Sequence, residues 1–83
     1  MELLDFYADW CGPCQMMKPI MAEFEEAHPE IKVRAVNVDT DGAIAAEYGV
    51  SGIPCIVFLK DGKEVNRAVG VTPLKKLEKL AEL

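Results

Sequence analysis

Pro13 restricts this chain more than any other single residue. It sits in "CGPC", Cys11 to Cys14, and is followed by "QMMKPIMAEFEEAH", where Met17, Ile20, Met21 and Phe24 recur at helical spacing. Proline is tolerated in the first turn of a helix but costs about 3 kcal/mol or more deeper inside, where it removes a hydrogen bond and crowds the preceding turn. The helix must therefore open around Cys11 to Pro13 and run to about His28, where Pro29 stops it. Pro19, inside this span, predicts a kink by crowding the carbonyl of Gln15.

The segments around that helix read as strands. Leu3, Leu4, Phe6 and Tyr7 form an apolar run ending near Ala8. "IKVRAVNVD" alternates and then turns apolar near Val38, as a strand of deepening burial would. "GAIAAEYGV" predicts a short helix ended by Gly49, and "CIVFLKDGKEVNRAVGV" a hairpin folded at Asp61-Gly62. A last helix is expected with Thr72 as N-cap, Pro73 at its first position and Leu74, Leu77, Leu80 and Ala81 along one face. The order βαβ, short helix, ββα predicts an α/β fold, with a four-stranded mixed sheet and helices on both faces. No repeat or linker divides the chain, so residues 1–83 are expected to form a single domain.

Charge narrows the function. Nine basic residues are scattered among fourteen acids, for a net charge of −5, which argues against binding nucleic acid. No apolar run approaches the roughly 18 residues of a membrane helix, and no secretory leader precedes the first strand, so the chain is expected to be cytoplasmic and away from membranes. Three cysteines are a poor disulfide framework; in a cytosolic chain such a pair is redox-active or binds metal.

The helix start supplies the chemistry. Cys11 falls at the positive end of the helix dipole, where unsatisfied N–H groups favour an anion by up to about 2 kcal/mol. At about 1.4 kcal/mol per pKa unit, this moves a thiol about one unit toward neutrality and makes it a usable nucleophile. Cys14 lies one turn inward on the same face, near enough for the two sulfurs to bond and part again. Asp5 is anomalous as an acid within an apolar strand: it is either functional or a solvent-facing residue of an edge strand.

"WCGPC", Trp10 to Cys14, resembles the active-site motif of thioredoxins, and "GIPC", Gly52 to Cys55, resembles their Gly-Ile-Pro-Thr loop; "KDG" and "VGV" stand where that family has its hairpin turn and a glycine beside the active site, here Gly70. The resemblance spans almost the whole chain, beginning at what would be the family's second strand. It implies a thioredoxin-like fold and reversible reduction of protein disulfides. Cys11 would attack, Cys14 resolve the mixed disulfide, and a thioredoxin-reductase-like enzyme restore the dithiol, with no cofactor held by the chain. It further implies that Asp5 accepts the proton of Cys14, that Gly12 and Pro13 favour reduction, that Ile53-Pro54 is cis, and that Trp10, Ile53, Pro54 and Gly70 meet the substrate peptide.

Two departures from the family bear on this. Ala35 stands where many members carry a lysine near the buried acid, so Asp5 is expected to lack a cationic neighbour. Cys55 replaces the usual threonine, and is either a small buried residue or a third thiol near Cys11 that could form an off-pathway disulfide or complete a metal site. Trp10 could instead be a core aromatic, His28 reads as a helix-end residue, and Met16, Met17 and Met21 read as core filling. A monomer is expected, with weak association through an exposed edge at the strand beginning at Ile31. A metal-binding module using the three cysteines and a non-catalytic interaction domain are the competing functions.

Overall fold

The computed structural model describes residues 1–83. Its elements run β1 (Glu2–Tyr7), α1 (Gly12–Ala27), β2 (Lys32–Asn37), α2 (Gly42–Glu47), β3 (Cys55–Lys60), β4 (Lys63–Val69) and α3 (Leu74–Leu80). The four strands form one sheet in the order β2-β1-β3-β4. β1 and β2 are parallel, as their helical crossover requires, whereas β3 runs antiparallel to both β1 and β4.

Period-two alternation along β1 divides the interior into two layers. Leu3 points into a core built with Met17, Met21 and Phe24 of α1, Ile56 and Phe58 of β3, and Leu77 of α3. Leu4 and Phe6 point the other way, joining Val36, Ala45, Cys55, Val57 and Leu59 on the α2 side. The same alternation places Asp5 and Tyr7 on Leu3's face, toward α1. β3 is covered on both faces, so Cys55 to Leu59 are all buried and read in sequence as an unbroken apolar run.

Asp61 and Gly62 both take positive φ, 53° and 80°, the geometry that a two-residue hairpin turn with the native strand twist demands. Phe58 pairs with Asn66 but Leu59 with Glu64, leaving Val65 as an extra, half-exposed residue in a β-bulge on β4. Gly49, just past α2, has φ of +63°, the left-handed turn expected there.

α1 continues through Pro19 as one element, and because Gln15 and Pro19 are both exposed, solvent can serve the carbonyl that loses its partner. Several expectations are corrected. The burial of β2 does not deepen steadily: Lys32, Arg34 and Ala35 are exposed, and only Val36 is fully covered, because β2 lies at the sheet edge. Met17 and Met21 fill the core, but Met16 is 62% exposed, since it lies on the outer face of α1. Thr72 does not cap α3. That position falls to Pro73, whose extended backbone (ψ 154°) and carbonyl open the helix, while the Thr72 hydroxyl donates to the Gly70 carbonyl at 3.0 Å. His28 caps the end of α1 and its Nε2 lies 2.6 Å from Glu78 Oε2, tying α1 to α3.

Leu77 is wholly buried at the contact of α3 with the sheet. Replacing it by alanine should cost about 2–5 kcal/mol through lost transfer energy and the cavity left behind. A urea unfolding midpoint unchanged by Leu77→Ala would place α3 outside the cooperative core.

Candidate active site

The carboxyl end of β1 leads through Ala8 and two exposed residues into the first turn of α1. Cys11 is the N-cap, with φ −85° and ψ 110°; its own N–H donates to the Ala8 carbonyl at 3.2 Å, and its carbonyl accepts the first helical bond from Gln15. Its sulfur takes the role a hydroxyl or carboxylate usually has at this position, because the Cys14 N–H donates to Cys11 Sγ at 3.2 Å. No acidic side chain occupies the first turn to compete for those donors.

Cys11 and Cys14 are joined in a disulfide with their Cα atoms 5.2 Å apart. They keep only 5% and 3% of their surface. Exposure thus hardly separates the two sulfurs; the difference lies in the hydrogen bonding, which favours negative charge on Cys11. Gly12 and Pro13 between them are exposed and occupy the first two helical positions.

Around the pair, Ala8, Tyr7, Val38 and Ile53 form a small apolar cluster. The Ile53-Pro54 bond is cis, and the buried Pro54 accepts through its carbonyl a 2.8 Å hydrogen bond from Gly70 N–H. Gly70 has φ of +89°, a conformation costly for any side-chain-bearing residue. Trp10 is no core aromatic: 71% of it is exposed, and its Nε1–H donates to Asp39 Oδ2 at 2.9 Å. Asp39 is in turn steadied by its own N–H, which donates to Asn37 Oδ1 at 2.9 Å. Asp39 and Asn37 lie 29 and 27 positions beyond Trp10, and only the parallel pairing of β1 with β2 brings them near.

Asp5 lies behind Cys14. β1 is an inner strand, so the edge-strand alternative for Asp5 is not realised. Asp5, Tyr7, Asp9, Cys14, Lys18 and Ala35 line a cavity of about 270 Å³, large enough to hold water. Burial pushes the Asp5 carboxyl up to about 6 from its ordinary 3.8, and the negative charge of Glu25 adds to the shift. No cation is paired with Asp5; Lys18, one turn along α1 from Cys14, lines the same cavity.

Cys55 does not join the pair. Its side chain belongs to the α2-side core with Leu4, Phe6 and Val57, where burial raises its thiol pKa. The three sulfurs therefore do not converge, which removes the geometry that a three-cysteine metal site needs; no set of three or more His, Cys, Asp or Glu side chains is arranged to hold a metal ion. No helix is long and apolar enough to cross a membrane.

Two outcomes follow from this geometry. A carboxyl whose folded pKa is raised contributes stability below pH 3.8 that is lost as the pH rises through about 6. Asp5→Asn should thus stabilise the disulfide form at pH 8 by on the order of 1–2 kcal/mol, after discounting for partial solvation, and change little at pH 4, as read from urea midpoints. Asp39→Ala should release the Trp10 ring, lowering its fluorescence anisotropy without unfolding the chain; an unaltered signal would mean that packing alone holds the ring.

The sequence profile of the thioredoxin family matches residues 1–82. Among characterised relatives, the thioredoxin of Chlamydia caviae is 46% identical over 69 residues, covering 83% of this chain and 68% of that protein. The thioredoxin of Chlamydia trachomatis is 41% identical over 78 residues, covering 94% and 76%. Among solved structures, oxidised mitochondrial thioredoxin 3 of Saccharomyces cerevisiae superposes with a TM-score of 0.90 at 34% identity, over 99% of this chain and 77% of that one. With a disulfide at a helix N-cap, an acid behind it and a Pro54 loop facing it, on a fold shared almost end to end, the chain belongs to the thioredoxin family.

Proposed function

We propose that this thiol-disulfide oxidoreductase works as a general reductant of protein disulfides, with residues 1–83 acting as one domain and Cys11 as the attacking thiol. The observation that carries the assignment is the Cys14 N–H directed at Cys11 Sγ in the first turn of α1. In the dithiol form that donor and the helix N-terminus favour a thiolate on Cys11. The thiolate attacks one sulfur of a substrate disulfide; the S–S bond breaks, one substrate sulfur leaves and takes a proton, and a mixed disulfide to Cys11 remains. Cys14 then passes its proton to the Asp5 carboxylate through the cavity between them and attacks Cys11 Sγ. The Cys11–Cys14 bond forms, the second substrate sulfur leaves as a thiol, and Asp5 returns its proton to solvent.

Trp10, Ile53, Pro54 and Gly70 form the surface on which the substrate lies. The exposed ring of Trp10 and the apolar side chain of Ile53 flank the disulfide from two sides, and a backbone stretch at Ile53 suits an extended peptide. Gly12 and Pro13 contribute by leaving the first turn open to that peptide. Recharging falls to a thioredoxin-reductase-like enzyme that delivers two electrons to the disulfide. Cycling of this kind requires a compartment that keeps thiols reduced, which supports a cytoplasmic setting and a place in electron transfer. A monomer suffices, because every residue invoked lies in one chain.

Cys11→Ser should lower disulfide reduction of a model protein such as insulin to background. Cys14→Ser should retain the first attack and accumulate a mixed disulfide, visible by mass spectrometry. Activity surviving in Cys11→Ser but lost in Cys55→Ser would overturn the assignment.

A further inference from the structure

We propose that Met17 is a positioning residue for substrate binding: its sulfur accepts the Thr72 N–H and so ties the peptide-facing segment at Gly70 to the helix that carries the two cysteines. This inference rests on the reading of Ile53, Pro54 and Gly70 as substrate surface and adds to it the side chain that holds that surface in place against the disulfide.

The starting point is a buried donor. Thr72 keeps only 4% of its surface and is the single polar residue among the buried ones. Its hydroxyl donates to the Gly70 carbonyl, but its N–H lies past the end of β4 and ahead of α3, where neither element supplies an oxygen. The acceptor it meets is Met17 Sδ, at 3.5 Å. A thioether is a weak acceptor, yet within a core the alternative is an unpaired amide, which costs more than a poor hydrogen bond. Met17 is 1% exposed and packs in the layer of Leu3, Phe58 and Leu77, so the pair is closed to bulk solvent. Of the four methionines, Met17 alone accepts a hydrogen bond.

The contact completes a ring around the reactive sulfurs. Met17 follows Cys14 by three positions, and both lie on the buried face of α1. From Thr72 the connection runs through the hydroxyl to Gly70, whose N–H donates to the Pro54 carbonyl at 2.8 Å. Ile53, next to Pro54, packs on the cluster of Ala8, Cys11 and Cys14, which returns the ring to its origin. Residues 70–73 belong to no helix or strand, so hydrogen bonds of this kind set where Gly70 stands relative to Cys11. The unbranched, flexible side chain of methionine is suited to reach such a donor, whereas a leucine of similar volume fills the same space without an acceptor.

The test uses the full chain in Met17→Leu, with Met21→Leu as the same exchange in the same core where no hydrogen bond is lost. Native-state hydrogen exchange by NMR reads the contact: the Thr72 amide should exchange about tenfold faster in Met17→Leu and at close to the wild-type rate in Met21→Leu. Function is read in single turnovers of the dithiol form with two oxidants. One is dithiobis(nitrobenzoate), which is too small to span the peptide surface; the other is a synthetic extended peptide whose cysteine is joined by a disulfide to a coloured thiol. Met17→Leu should raise the half-saturating peptide concentration about threefold while leaving the limiting rate, and the rate with the small disulfide, at wild-type values. Met21→Leu should change none of these. A Thr72 amide no faster in Met17→Leu would overturn the contact. Faster exchange with unchanged peptide saturation, or an equal loss of rate with both disulfides, would overturn the positioning role. Gly70→Ala, strained at φ of +89°, disturbs the surface directly. If it weakens peptide saturation while Met17→Leu does not, the role of Met17 alone fails; if it leaves peptide saturation unchanged, the reading of this surface fails and that of Met17 with it.

Discussion

The hydrogen bond from the Cys14 N–H to Cys11 Sγ organises this molecule. It exists because Pro13 permits a helix to start only there, and because the residue at the N-cap is a cysteine where most helices place a hydroxyl or a carboxylate. One interaction thereby satisfies an orphan backbone donor, fixes the direction of α1 and prepares a sulfur to carry negative charge. Structure and reactivity have the same cause.

The two-layer core serves that arrangement. α1 delivers Met17, Met21 and Phe24 to the sheet from one side, so its first turn sits at the carboxyl end of β1 on a small cluster of its own with Ala8. At its other end His28 meets Glu78 of α3, and its ring lies against Phe24 at 5.0 Å between centroids. A helix anchored along its length and at its far end can present a small, open apex.

The parts legible in the sequence were those set by local rules. Pro13 marks the start of α1, Asp61-Gly62 the hairpin, and the unbroken run of β3 a strand covered on both faces, because each depends on residues adjacent in the chain. What escaped depends on distant juxtaposition. Lys18 is one of many exposed lysines until the register of β1 against β2 places Ala35 beside Asp5 and leaves a cavity for Lys18 to overlook. Asp39 gains meaning only once the crossover has carried it to Trp10. Thr72 was misread because capping residues precede helices and Thr72 precedes one by two places; the proline between them took the N-cap, and the hydroxyl turned back to Gly70. The side on which Cys55 faces was undetermined for a related reason: when both faces of a strand are buried, alternation does not tell one layer from the other.

The placement of Cys55 carries a consequence for the life of the molecule. Sealed under α2, the odd sulfur takes no part in the traffic of electrons above it, so an oxidant meets two partners and three-way scrambling is closed to the native chain. Its silence lasts only while that layer holds together. Any event that lifts α2 from the sheet would uncover a third thiol, so the packing of that layer is what confines the chain to a single disulfide.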